Sequence, residues 1–193
     1  LGELRLLDRS GDHGKAIELV PGIIAGMEQL GDRLHKEQEL EFHFTLACVH
    51  FGAGEMNKAL FWLNKVLNDN EPTLRQDIFT YARLFNLVVH YELGNFDLLE
   101  YIVRSTQRFM SKRQRAEGME TVLMDHVKKL ARATDPLAKR DLFKSMLTRF
   151  EEVLVDPNES LVLKYFDVLS WATAHAEGTP FSEVVQHRLK AAR

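Results

Sequence analysis

The sequence predicts an all-α chain of stacked helical hairpins, and three observations carry that expectation. The first is an echo. His50-Phe51-Gly52-Ala53-Gly54-Glu55-Met56-Asn57 returns forty residues later as His90-Tyr91-Glu92-Leu93-Gly94-Asn95-Phe96-Asp97. In each copy a glycine, then a polar and an apolar residue, separates two amphipathic segments. A fixed period of this size marks a supersecondary unit that cannot bury its apolar face alone and must stack on its neighbours. The second observation is that no alternating β-branched run long enough for a strand occurs. The third is that glycine and proline fall at segment boundaries, where they punctuate helices.

The elements follow in order. Leu4, Leu6 and Leu7 belong to an opening fragment that stops near Ser10-Gly11-Asp12. A second helix is expected over residues 15–30, with Pro21 and Gly22 kinking or interrupting it. From about residue 32 to 52, Leu40, Phe44, Ala47, Cys48 and Phe51 recur at three- and four-residue steps and form one apolar stripe. Residues 55–68 place Ala59, Leu60, Leu63, Val66 and Leu67 inward. Pro72 is expected to open a long helix reaching Leu93, with Ile78, Tyr81, Ala82, Phe85, Val88 and Val89 on its stripe. Residues 96–110 are its hairpin mate, using Leu99, Ile102, Val103 and Phe109.

Asp135-Pro136 and Asp156-Pro157 each put an acceptor at a helix N-cap and proline at the first helical position. Glu159 makes the second an approximate capping box. Thr179-Pro180 opens a short last helix, which brings the total to roughly ten.

Composition narrows the class. Of 193 residues 27% are charged and the net charge is −3, so nothing global points to nucleic acid or an acidic substrate. Residues 1–100 carry nine Lys/Arg against sixteen Asp/Glu, and the remainder sixteen against twelve, a polarity that orients a charged partner at most weakly. The single cysteine, Cys48, excludes an internal disulfide framework and suits a reducing compartment such as the cytoplasm. No run of about 18 apolar residues exists, so no membrane span is expected. The chain opens on Leu1 and reads as helix from the start, as expected for a piece of a longer protein. Whether a signal peptide belonged to the missing part stays open.

Gly54-Glu55-Met56-Asn57-Lys58-Ala59-Leu60, followed by Leu63, Val66 and Leu67, resembles the turn and second helix of a tetratricopeptide repeat. In that family a small residue five positions after the turn glycine sits where the two helices cross, and Ala59 stands there. Leu46-Ala47 fits the large–small pair of the first helix. Gly11-Asp12-His13-Gly14-Lys15-Ala16-Ile17 is similar to the same turn in a repeat whose first helix is truncated. Gly94-Asn95-Phe96-Asp97 gives a third turn, but Leu99 replaces the small residue, so that hairpin must open or shift. The turns lie 43 and 40 residues apart, longer than the ~34 usual in this family. The resemblance implies a right-handed α-solenoid of antiparallel hairpins over residues 1–115, with 116–193 continuing or capping it as a single domain. Residues 78–115 also resemble a segment of uncharacterised bacterial repeat proteins.

Such proteins bind a peptide or helix in a concave groove lined by the first helices. The resemblance places Glu41, Phe44, Cys48 and Phe51 of one repeat in that groove, with Tyr81, Leu84, Val88 and Tyr91 of the next. An aromatic groove suits an apolar or amphipathic segment held by a few anchors. The competing reading is that the same stripe is ordinary core. Thr45 and Phe85 stand where the family's carboxylate clamp has asparagines, so an acidic C-terminal peptide is not implied.

The remaining candidates are weaker. His50 and His90 occupy equivalent positions before the turns and are expected to cap the last helical carbonyls. No close Cys or His pair has the spacing of a structural zinc site, and no metal or cofactor is expected. Arg104, Arg108, Lys112, Arg113 and Arg115 form a basic run without an acid inside residues 101–115, with Arg104, Arg108 and Arg115 on one helical face. It is either a contact for nucleic acid or an acidic partner, or a solvated helix end; the absence of interleaved aromatics favours the latter.

No nucleophile elbow, phosphate loop, HExxH or paired-cysteine motif occurs, so no enzyme is expected. Cys48 and His50, two apart on a helix, point to different faces. Residues 161–171 are apolar nearly all round, read as a helix that is either wedged centrally or exposed as a homodimer interface. The sequence therefore leads to a non-catalytic protein-interaction scaffold. Its alternatives are an electrostatic contact through the basic face and a structural oligomerisation domain.

Overall fold

The computed structural model of the chain describes residues 1–111 and 118–191. Lys112, Arg113 and Arg115 of the basic run lie outside the described residues. Among those described there is no strand, only α-helix, 3-10 helix and connections. The first four helices are α1 (Gly2–Arg9), α2 (His13–Leu30), α3 (Lys36–Gly52) and α4 (Met56–Leu67). Then come α5 (Gln76–Glu92), α6 (Phe96–Ser111), α7 (Met119–Arg132) and α8 (Pro136–Val153). A 3-10 segment, Pro157–Lys164, leads to α9 (Val168–Glu177) and α10 (Phe181–Ala191), and a shorter one, Gly31–Arg33, follows α2.

The repeated turn is a repeated hydrogen-bond pattern. After α3, Gly54 N–H donates to the Phe51 carbonyl at 2.9 Å and Glu55 N–H to the His50 carbonyl at 2.8 Å. After α5, Gly94 N–H donates to Tyr91 and Asn95 N–H to His90, both at 3.0 Å. These are the two bonds of a Schellman motif, which needs the left-handed backbone that Gly54 and Gly94 supply at φ +77° and +71°.

Consecutive helices from α1 to α10 pack pairwise, and α3 also meets α5 as α5 meets α7. Ala59 and Leu99 are both fully buried, and α3 and α4 stay in contact along more of their length than α5 and α6. One core extends from α3 to α9, and a second, built on Leu4, Ala16, Val20, Leu46 and Val49, fixes α1 and α2 against the opposite side of α3.

Several boundaries differ from the sequence reading. Helix α2 runs through Pro21 without a break. Pro72 does not open α5, which starts at Gln76; the proline stands in the turns before it. Asp135 behaves as expected, its carboxylate accepting from Ala138 N–H at 2.8 Å with Pro136 in the first turn. Asp156-Pro157 instead opens a 3-10 segment, and the helix expected over 161–171 is broken at Tyr165-Phe166-Asp167. Asp167 is the reason: its carboxylate caps α9 by accepting from Ser170 N–H at 2.9 Å, which restarts the helix there.

That break lets the C-terminal part cross the inner faces of α3 and α5. Tyr165 stacks on Tyr81 at 4.0 Å between centroids, and Phe166 lies against Phe85 at 5.1 Å. Phe181 of α10 meets Phe51 at 5.6 Å. The two ends of the described chain then join: Gln186 donates to the Gly11 carbonyl at 3.2 Å and Arg9 to the Lys164 carbonyl at 3.0 Å.

A candidate binding site where the chain ends meet

The expected groove residues are mostly covered. Phe44 packs edge-on to Phe85 and Tyr165. Tyr81 carries the Tyr165 ring. Leu84 is fully buried, and Tyr91 is enclosed by Trp171 and Phe143, both at 5.7 Å, with burial pushing its hydroxyl up to about 12. Glu41 is engaged by Arg5 of α1 at 2.6 Å, with Arg75 at 3.9 Å. Beside it Arg75 pairs with Asp77, whose carboxylate also accepts from the Tyr165 hydroxyl at 2.8 Å. The Arg75 guanidinium, and then the Tyr165 hydrogen bond, hold Asp77 down at about 2. The open groove expected from the sequence is thus corrected to a face closed by the chain's own Tyr165-Phe166 segment.

What remains open is a cavity of about 460 Å³. Its apolar wall combines Cys48 and Phe51 of α3 with Phe85 and Val88 of α5, opposite Leu163, Phe166, Trp171, Phe181 and Val185. Its polar side gathers Asp8, Arg9, His13, Ser160, Lys164, Asp167 and Arg188. A neighbouring cavity of about 220 Å³ shares Asp8, Arg9, Cys48, Lys164 and Tyr165 with it and reaches Glu41 and Thr45. Of the eight expected groove residues, Cys48, Phe51 and Val88 therefore border the main cavity, Glu41 and Phe44 the smaller one, and the rest neither.

His13 is the unusual member. Its ring is 4% exposed, lies flat against Phe181 at 5.7 Å, and rests on Gly52, where a Cβ atom would collide with it. Neither ring nitrogen has a hydrogen-bond partner; the nearest charge is the Asp8 carboxylate at 3.6 Å. A buried polar atom left unmet costs about 1–3 kcal/mol, which makes this ring a feature requiring an explanation. Burial lowers the His13 pKa, and it lifts Asp8 to about 7, against the lowering effect of Arg9. Cys48 is inert by the same logic: its thiol donates to the Tyr165 carbonyl at 3.7 Å, and burial pushes it well above its ordinary value.

The other expected sites resolve differently. His50 and His90 do not bond helix-end carbonyls. Instead His50 Nδ1 meets the Glu55 carboxylate at 2.6 Å, and His90 Nδ1 accepts from the Asn95 amide at 3.0 Å, so each imidazole ties the turn behind its glycine. Arg104 is offset by Glu100 at 2.6 Å, an acid one residue outside the basic run, and Glu100 also takes Arg132 at 2.8 Å. Arg108 is exposed. In the 161–171 stretch Val162, Phe166, Val168 and Trp171 are buried, while Leu161 is partly exposed. Among the described residues no group of three or more His, Cys, Asp or Glu could hold a metal ion, and no helix is long and apolar enough to cross a membrane.

The chain matches no protein-family model, and neither a curated protein nor a solved structure shows detectable similarity to it. The site therefore speaks only through its own residues. Those that sequence reasoning missed are Asp8, His13, Lys164 and Arg188, which meet across 150 residues or more and carry no shared motif. One signal was available: Gly52, an extra glycine inside a helix where the second copy has Glu92.

Proposed function

We propose that the chain is a non-catalytic protein-interaction scaffold, a tetratricopeptide-like α-solenoid whose first-helix face takes up an aromatic, irregular segment of a partner. One observation supports the reading. The face built by α3 and α5 accommodates exactly such a segment in cis, with Tyr165 on Tyr81 and Phe166 on Phe85, rather than another hairpin. A surface that holds aromatic anchors projecting from a short non-α segment has the chemistry of peptide recognition by side-chain pockets. The partner supplies one further anchor to the wall formed by Phe51, Phe85 and Val88, where the cis segment leaves space. Because the face is pre-formed, little ordering cost attaches to it on binding.

A peptide-display selection against the full chain tests this. Enriched sequences are expected to carry an aromatic residue and to lose about tenfold in affinity, 1.4 kcal/mol, on Phe51→Ala and on Val88→Phe, which fills the space. No enrichment, or enriched peptides indifferent to both natively folded variants, would end the reading.

A further inference from the structure

The cavity has a composition that a peptide anchor alone leaves unexplained. An aromatic side chain would satisfy its wall and ignore its polar side, where Asp8, Arg9, Lys164, Asp167 and Arg188 gather. The charges on that side do not cancel. Arg188 is matched by Asp167 at 2.8 Å. The exposed Arg9 spends a hydrogen bond on the Lys164 carbonyl, and no acidic partner to the Lys164 ammonium occurs among the described side chains. Asp8 is the remaining acid, so Arg9, Lys164 and Arg188 face two carboxylates. The surplus is therefore positive and small.

We propose that this cavity binds a small amphipathic carboxylate, with its apolar body on Phe51, Phe85 and Trp171 and its head group meeting the Lys164 ammonium. The volume lies in the lower part of the range of about 300–1,000 Å³ typical of small-molecule pockets. A carboxylate suits the site better than a phosphate, because Asp8 and Asp167 also line it and would oppose a second negative charge. The Lys164 ammonium keeps donors that no acidic side chain among the described residues receives, and a carboxylate oxygen is an acceptor that completes one of them. The ligand takes the space that the partner reading gives to a peptide anchor, without displacing Tyr165 or Phe166, so it is a rival occupant whose binding survives the failure of that reading. By touching α3, α5, α9 and the chain's beginning together, the bound acid ties the two ends of the molecule.

The test uses decanoate as the acid and 1-decanol as its neutral counterpart, read by calorimetry and by the fluorescence of Trp171 in a Trp62→Phe background. Trp62 and Trp171 are the two tryptophans, and Trp62 is not on this cavity. Decanoate is expected to bind saturably with one-to-one stoichiometry and to raise Tm. Decanol, and decanoate with the surface variant Lys164→Glu, should each bind about tenfold more weakly. Absence of saturable binding, equal binding of decanoate and decanol, or Lys164→Glu binding decanoate as the wild type does would each overturn the proposal. So would binding of a short peptide through its C-terminal carboxylate where decanoate fails.

Discussion

The two copies of the repeated turn differ most at one position, and that position decides what each turn receives. In the first copy Gly52 leaves a bare patch of α3 on which His13 lies with no partner for either nitrogen. In the second copy the matching residue is Glu92, whose carboxylate accepts from the Trp171 indole and pairs with the His175 ring, both at 2.6 Å. An imidazole from one end of the chain docks on each turn, but only the second is satisfied. His175 is sandwiched against Phe143 at 4.4 Å inside a cluster that includes Tyr91 and Trp171. The second turn is thus a closed joint, and the first borders a cavity. Buried polar groups in folded proteins are almost always paired, so the contrast locates the site by its exception.

The largest expected effect lies in the closed joint. Trp171 is 2% exposed and gives Glu92 its indole donor, so Trp171→Ala should destabilise the protein by about 3–5 kcal/mol in urea denaturation. Replacing His13 by Ala at the first turn should cost clearly less, because no hydrogen bond is lost there. Equal losses would erase the distinction between the joints.

Gly52→Ala comes next and has a diagnostic sign. In a helix this exchange ordinarily stabilises by roughly 0.5–1 kcal/mol. Here the added methyl meets the buried His13 ring, which is pinned between Gly52 and Phe181, so we expect a net loss of about 1–3 kcal/mol. A gain in Tm would mean that the ring moves freely and the cavity wall is soft.

How far the sequence disclosed this contrast can be judged residue by residue. The turn glycines, Ala59 at the crossing and the Asp135-Pro136 cap were readable because each acts over a few residues. The inner stripe of α3 and α5 was readable by period. What covers the stripe was not, since the Cys48–Tyr165 and Asp77–Tyr165 contacts join residues 117 and 88 apart and leave no local trace. The run 161–171 misled for a physical reason: a mostly apolar stretch without glycine or proline reads alike whether it is a buried helix or a 3-10 turn followed by a capped one. Asp167 was the one mark of the break. Gly52 was visible as an oddity, but its meaning depended on His13, which belongs to a different helix.

Asp8 gives a pH-resolved test of the first turn. Its folded pKa of about 7 lies above the ordinary 3.8, so between these values the folded chain holds a proton that the unfolded chain has released. Stability from this group therefore falls as pH rises from about 4 to about 7. His13, His43, His90 and His126, all lowered by burial, act in the opposite sense as pH rises through 6.5, so the total curve is mixed. The difference between Asp8→Asn and wild type isolates the carboxyl. The variant should gain on the order of 1–2 kcal/mol relative to wild type between pH 5 and pH 7.5. A flat difference would show that Asp8 is solvated and that the cavity is not as dry as its lining implies.

The smallest effects belong to the imidazoles that tie the turns, and they sharpen the comparison where the copies are most alike. His50 meets a carboxylate, Glu55, which also holds Lys58 at 2.8 Å, whereas His90 meets the neutral Asn95 amide. Both partners stand at the rim of the protein, so Glu55→Ala and Asn95→Ala should each cost about 1 kcal/mol or less. The two losses should part company with pH. Lys58, and then His50, lower the Glu55 pKa, so its contribution is present above the ordinary carboxylate value and fades as pH falls through the lowered one. The Asn95 tie has no titrating carboxylate and should keep its value from pH 7 down to the point where His90 itself takes a proton; that proton goes to the Nδ1 lone pair that accepts from Asn95. Measured below the lowered Glu55 pKa, Glu55→Ala should therefore approach wild-type stability, and a penalty that persists there would mean that Glu55 supports the turn through its backbone position rather than through its charge.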